Sequence, residues 1–187
     1  MWHRAYFCFV IPYNVILETE RLVLRGWNQE TYDVVFGQYL DEDIKKFIGV
    51  VEDSEWELER NRYHGGYSTY NLTIQFFQLV SKSDQRILGW CGFHSWAKQH
   101  RRAEVFYLLK REEDKRQGWM SEALEVVLQY GREAMQLRRV EAFVAIDNMA
   151  SCRLLEKNGF RQEATVQHRY LFGDDVEWDH FYALLME

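Results

Sequence analysis

The chain has 187 residues, of which 47% are hydrophobic and 16% aromatic, enough for one packed domain and giving no case for two. Its 23 Lys and Arg against 29 Asp and Glu leave a formal charge of −6, which disfavours non-specific nucleic-acid binding and mildly favours a cationic partner. Cys8, Cys91 and Cys152 are an odd, scattered set without a C-x-x-C spacing, so neither a disulfide scaffold nor a zinc site is expected, and a reducing cytoplasm is the expected compartment.

Residues 1–17 (MWHRAYFCFVIPYNVIL) have a basic start and an apolar middle. Pro12 and Asn14 interrupt the apolar run, no A-x-A cleavage site follows, and the run is too short to span a bilayer. Residues 1–16 are therefore expected to be an N-terminal extension or an extra edge strand, with the domain proper over 17–187 and no membrane partner. The run 20–26 (ERLVLRG) alternates Leu22 and Leu24 against Arg21, Val23 and Arg25, a strand signal. Asn28 offers an N-cap for a helix through Tyr39 with Val34, Val35 and Tyr39 as its apolar stripe. Residues 41–53 read as acidic and irregular. A short helix is predicted over 54–63, ended by His64, Gly65 and Gly66. Residues 71–80 and 87–93, joined by the turn cluster Ser81–Asp84, predict an antiparallel hairpin. Gly89 and Gly92 inside its second strand mark a bulge or a close backbone approach.

Residues 104–109 combine aromatic and branched side chains in an extended run. From Gly118 onward Met120, Ala123, Leu124, Val127 and Leu128 recur at helical spacing, opposite Glu122, Glu125 and Gln129. Another strand over 139–146 leads to a helix capped by Asp147 or Asn148 and ended by Asn158, Gly159 and the apolar Phe160. Residues 164–172 and 176–186 predict a final aromatic hairpin around Gly173, Asp174 and Asp175. The order is βααβββαβαββ, an α/β fold (α+β mixed) with a mixed sheet flanked by helices.

The turn Lys115, Arg116, Gln117, Gly118 sits where the first N–H groups of a helix lack partners, a place that holds phosphate. It resembles the acyl-CoA signature of the GNAT superfamily of N-acetyltransferases, Q/R-x-x-G-x-G/A, with Lys115 at the Q/R position, Gly118 at the first glycine and Met120 at the final G/A. Residues 89–124, with GWCGFHSW, HRRAEVFY and GWMSEAL in order, are similar to the ribosomal-protein-alanine N-acetyltransferase branch. The block NMASCRLLEKNGF from Asn148 to Phe160 resembles that branch's N-x-x-S-x-x-L-x-x-x-G-F. The resemblance spans Leu17 to the C-terminus.

It implies a GNAT fold with a mostly antiparallel sheet, acetyl-CoA as co-substrate and no metal. It also implies transfer of the acetyl group to a primary amine by direct attack in a ternary complex. The implied acceptor is a protein or peptide N-terminal α-amine, with a ribosomal protein among the candidate partners, and the protein is a monomer or homodimer. Main-chain groups of Lys115, Arg116, Gln117, Gly118, Trp119 and Met120 would hold the pyrophosphate, and an N–H near Leu108 or Leu109 would meet the carbonyl oxygen. Asn148 matches a residue that contacts the pantetheine arm, its plainer role being the helix cap. Ser151 matches one whose hydroxyl approaches the CoA sulfur, its plainer role being a first-turn residue bonded to backbone. Many family members carry a tyrosine four residues after that serine, where this chain has Leu155, which leaves Tyr170 or Tyr182 as alternatives.

Glu104 shares a strand face with Phe106 and Leu108, so partial burial would make it a better base; equally, it would serve as an ion-pair partner of Arg101 or Arg102. Cys91 and His94 point to opposite faces of one strand, and His94, Trp96 and His100 are expected as core and rim groups rather than ligands. Residues 41–70 and the terminal hairpin are expected to select the acceptor, with Asp43, Glu52 and Asp53 attracting a cation. A polyamine, amino acid or aminoglycoside acetyltransferase is the nearest alternative. A catalytically silent acyl-CoA sensor is kept open by Lys115, Arg116, Met120 and Leu155.

Overall fold

A computed structural model of the chain describes residues 11–69, 71–167 and 178–186. Eight strands form one sheet in the order β1-β2-β3-β4-β5-β6-β8-β7. They are β1 (Ile16–Glu18), β2 (Leu22–Trp27), β3 (Thr73–Ser81), β4 (Ile87–Ala97), β5 (Arg102–Leu109), β6 (Arg139–Ala145), β7 (Arg161–Gln167) and β8 (Trp178–Leu185). Every neighbouring pair is antiparallel except β5–β6. The helices are α1 (Gln29–Gln38), α2 (Asp41–Ile48), α3 (Asp53–Gly65), α4 (Trp119–Glu133) and α5 (Met149–Lys157). This is the mostly antiparallel, helix-flanked sheet that the sequence predicts, with one short strand, β1, and one helix, α2, added to the predicted order.

The α2 helix corrects the reading of residues 41–53 as irregular. Ile44 and Ile48 are buried one turn apart, Asp41, Glu42 and Asp43 face the positive end of the helix dipole, and Lys45 and Lys46 face the negative end. Acidic composition masked an amphipathic pattern only two turns long. α1 follows its signals closely: the Asn28 side chain accepts from the Thr31 N–H at 2.9 Å, and Val35 is buried. The segment before β1 packs on the sheet, with Ile11 buried and Asn14 hydrogen-bonded to Gln75 at 2.7 Å.

The two faces of the sheet carry separate cores. Under α4 and α5 lie Leu22, Leu24, Phe77, Leu79, Phe93 and Val105, meeting Leu124, Val127 and Leu155. On the opposite face Trp27 and Ile74 meet Tyr32 and Val35 of α1, Ile44 and Ile48 of α2 and Trp56 of α3. Gly89 lets β4 and β5 approach: a Cβ there would lie 2.0 Å from the Leu108 carbonyl oxygen, a close approach and not merely a flexible point. β7 and β8 pair antiparallel, as a terminal hairpin requires. Its turn at Gly173, Asp174 and Asp175 lies outside the described residues, as do Cys8, Tyr70 and Tyr170.

Candidate active site

The parallel pair β5–β6 opens almost as soon as it forms. Arg102, Ala103 and Glu104 pair with Arg139, Val140 and Glu141, and the strands make no further pairing although each runs on for several residues. Charges pin the closed end: Glu141 accepts from Arg102 at 2.5 Å and from Arg139 at 2.7 Å, and Arg139 reaches Glu163 at 2.5 Å. On its other edge β5 stays paired with β4 through Leu109, and the Lys110 N–H donates to Leu88 O at 2.9 Å. Antiparallel alternation then turns the N–H groups of Leu108, Phe106 and Glu104 toward β4, and those of Val105, Tyr107 and Leu109 into the opening. Of the two N–H groups singled out in the sequence, that of Leu109 faces the gap and that of Leu108 does not. Unpaired strand polar groups of this kind are a template for an extended ligand.

Two elements border the opening. One is the first turn of α5, where exposed Asn148 caps the helix by accepting from the Ser151 N–H at 3.1 Å. Half-buried Ser151 brings its side chain up to the Tyr107 hydroxyl. Leu155, one turn on, is fully buried in the core. The other is the turn before α4. Arg116 and Gly118 adopt left-handed backbone, with φ of 61° and 83°. Gly118 is the N-cap and supplies no side-chain cap. Glu122 N–H reaches Gly118 O at 3.1 Å, leaving those of Trp119, Met120 and Ser121 without helical partners, an arrangement chemically suited to an anion. Met120 turns its side chain into the core instead of filling the turn. Lys115 pairs with Glu112, and the Gln117 amide donates to Glu113 O. Both side chains fold back along the preceding loop, away from the helix end.

Residues distant in sequence hold this turn, and local patterns gave no sign of them. Arg21 of the β1–β2 connection reaches Glu122 at 2.6 Å and Gln117 O at 3.2 Å, and its guanidinium stacks 4.1 Å from the Trp119 ring. Thr19 also donates to Glu122. Burial pushes the Glu122 carboxyl up, but the bonds from Thr19 and from Arg21 outweigh it and hold the pKa below its ordinary value. One residue before Lys115, buried Asp114 receives both ends of the Arg86 guanidinium at 2.8 and 2.9 Å.

On the α1–α3 face, Glu104, Phe106 and Leu108 stand in line as the alternation predicts. Glu104 is largely buried and meets His94 Nε2 at 3.3 Å, while Arg102 is directed to Glu141. His94 is thus a rim group, as expected, and a partner for the candidate base. Beside this pair lies a cavity of about 270 Å³ walled by Tyr32, Tyr67, Phe76, Trp90 and Phe106. Its acid, Glu59, accepts from the Tyr67 hydroxyl at 3.1 Å and from Arg62 at 2.6 Å. Burial first, and Glu59 second, push the Tyr67 phenol well up, so it stays protonated at neutral pH. Asp43, Glu52 and Asp53 do not line this cavity; Asp43 faces Lys46 and Asp53 faces Lys45. The aromatic cage missed in the sequence is assembled from α1, the segment that follows α3 and three strands, and no single segment announces it. Among the described residues no cluster of His, Cys, Asp or Glu is placed to hold a metal, and no helix is long and apolar enough to cross a membrane.

Comparison with known proteins identifies the family. The acetyltransferase (GNAT) domain family matches residues 21–161. The chain is 30% identical over 166 residues to the uncharacterized N-acetyltransferase YoaA of Bacillus subtilis, covering 88% of this chain and 92% of that protein. In fold it is similar to the ribosomal-protein α-N-acetyltransferase RimL in complex with coenzyme A, at TM-score 0.65 and 18% identity over 92% of this chain and 98% of that one. It is similar also to spermidine N-acetyltransferase from Vibrio cholerae in complex with CoA and spermine, at TM-score 0.62 and 18% identity over 90% and 97%.

Proposed function

The chain belongs to the GNAT acetyltransferase family and is an acetyl-CoA-dependent N-acetyltransferase, and from that premise we propose that its acceptor is a protein or peptide N-terminal α-amine. The β5–β6 opening carries the cofactor half of this reading. A pantetheine arm laid along β5 meets the inward N–H groups of Tyr107 and Leu109, and the pyrophosphate meets the turn from Lys115 to Met120 at the α4 terminus. In the reaction the amine attacks the thioester carbonyl directly, and the Leu109 N–H receives the developing oxyanion. Asn148 flanks the arm, and Ser151 lies near the sulfur.

Glu104 removes a proton from the ammonium, directly or through water, with His94 orienting its carboxylate. An α-amine, with a reference pKa of about 8, asks less of that base than a lysine near 10.4. The aromatic cavity supports an acceptor with one ammonium and an apolar neighbour. Among the described residues its one lining carboxylate, Glu59, is already matched by Arg62, so these residues offer little to the second cation of a polyamine. The charge of the whole chain remains compatible with a basic protein partner, and a ribosomal-protein N-terminus is the first to try. The buried free thiols Cys91 and Cys152 suit a reducing cytoplasm.

The test is an acceptor panel with acetyl-CoA: peptides with varied first residues, the same peptides blocked at the N-terminus, spermidine, lysine and an aminoglycoside, with products read by mass spectrometry. Acetylation of the free peptides alone, best with an apolar or aromatic first residue, is expected. Turnover confined to spermidine would overturn the acceptor assignment.

A further inference from the structure

Among the described residues Ser95 is the one non-glycine position inside a strand whose backbone is left-handed, with φ of 49°. Gln85, Arg101, Arg116 and Gln136 share that conformation but stand in connections between elements, where turns call for it. A left-handed serine within a strand costs free energy and persists only where its surroundings hold it. Its place is a bulge: between the pairs His94–Glu104 and Ala97–Arg102, Ser95 and Trp96 of β4 stand against Ala103 alone. In a regular strand Ser95 would point away from the face that carries His94. Here its Oγ lies 3.0 Å from His94 Nδ1. His94 Nε2 lies 3.3 Å from the Glu104 carboxylate, and the imidazole lines the aromatic cavity. These contacts fix the protons. An ionised carboxylate only accepts, so Nε2 carries the hydrogen; Nδ1 of the neutral ring is then an acceptor, and the Ser95 hydroxyl donates to it.

We propose that Ser95 is a positioning residue for deprotonation of the amine: its hydroxyl holds the His94 ring with Nε2–H toward Glu104, and the ring in turn holds the carboxylate that takes the ammonium proton. The assignment rests on the acetyltransferase reading above. In that step the proton moves from the ammonium nitrogen to Glu104, directly or through water. His94 and Ser95 exchange hydrogen bonds and no proton. Which imidazole nitrogen carries hydrogen is set by the bond that the other nitrogen makes. Without the hydroxyl, Nδ1 loses this donor, and the ring is free to turn and to change tautomer. The left-handed backbone has its reason in the same contact. Glycine would suit that φ better, but it has no hydroxyl to bring to the imidazole.

The experiment compares the wild type with Ser95→Gly and Ser95→Ala. Both remove the hydroxyl, but glycine relieves the left-handed backbone and alanine keeps its cost, so Tm should be higher for Ser95→Gly than for Ser95→Ala. With acetyl-CoA and a peptide acceptor, kcat should nevertheless fall about five- to tenfold in both, with KM for acetyl-CoA within about twofold. Nitrogen-15 spectra of the histidine rings, recorded without ligands at about pH 8 and assigned to His94 by the signal lost in His94→Asn, read the tautomer directly. The wild type should show hydrogen on Nε2 alone, and both variants a mixture. Wild-type kcat and tautomer in Ser95→Gly would overturn the assignment, whatever Ser95→Ala does, because the backbone and not the hydroxyl would then be what matters. A loss of rate with the tautomer unchanged would overturn it as well. A wild type that acetylates no amine would overturn the acetyltransferase reading and with it the role in deprotonation. The ring spectra, which need neither cofactor nor acceptor, would still report separately whether Ser95 sets the tautomer.

Discussion

Arg21→Ala separates the bracing of the proposed phosphate turn from its chemistry. The guanidinium makes three contacts with the start of α4: Glu122 at 2.6 Å, Gln117 O at 3.2 Å and the Trp119 ring at 4.1 Å. Its side chain is 40% exposed and that of Glu122 19%, so solvent screening reduces the ion pair to about 1 kcal/mol. The bond to Gln117 O and the stacking on Trp119 add about 0.5 kcal/mol each. A loss of about 2 kcal/mol lowers Tm by about 4–8 °C in a chain of this length. Because the turn is then less ordered before the ligand arrives, Kd for acetyl-CoA should rise about tenfold, or 1.4 kcal/mol. The Glu122 pKa is depressed in the folded state. Its stabilisation is therefore present above the unfolded value and is lost as pH falls through the lower folded one. The stability gap between wild type and Arg21→Ala should accordingly be full at pH 7 and narrow below about pH 4. Urea unfolding across pH, paired with calorimetry, measures both quantities. A lowered Tm with Kd unchanged within twofold would refute the coupling between brace and site.

Three further outcomes follow from named contacts. Glu104→Gln should reduce kcat/KM by about 100-fold or more, most strongly at low pH, with acetyl-CoA affinity kept; an unchanged pH–rate profile would remove Glu104 from the mechanism. Gly89→Ala places a Cβ 2.0 Å from Leu108 O, where only backbone can yield. It should cost about 3 kcal/mol or more in denaturant titration, and wild-type stability would show that β4 and β5 are not so close. Phe106→Ala opens the wall of the aromatic cavity. It should raise KM for the peptide acceptor while leaving Kd for CoA within about twofold, and a selective loss of CoA binding would place the acceptor elsewhere.

Legibility tracked how local each signal was. α1 could be read because a cap and an apolar stripe lie within one segment, α4 because its 3.6-residue apolar period runs the length of the helix, and α5 because Asn148 at its start and Gly159 and Phe160 at its end bracket it. The face of Glu104 followed from strand alternation alone. The β5–β6 opening could not be read, since it is a pairing that fails to form between strands joined through α4. The Arg21–Glu122 brace spans 101 residues, and its partners look like ordinary surface charges in the sequence. The aromatic cage was present in the composition as unassigned Tyr, Phe and Trp, and only tertiary packing gathers Tyr32, Tyr67, Phe76, Trp90 and Phe106 around one space. Short α2 was lost to its own charge, which outweighed two buried isoleucines.

Titration of the purified protein with acetyl-CoA by calorimetry, with ATP and NAD as controls at the same ionic strength, tests the site most directly. Selective binding near micromolar Kd, about −8 kcal/mol, is the expected result, reached through the β5–β6 opening and the α4 terminus together. A folded sample that gives no heat with acetyl-CoA, or binds ATP equally well, would contradict it and leave the opening without its ligand.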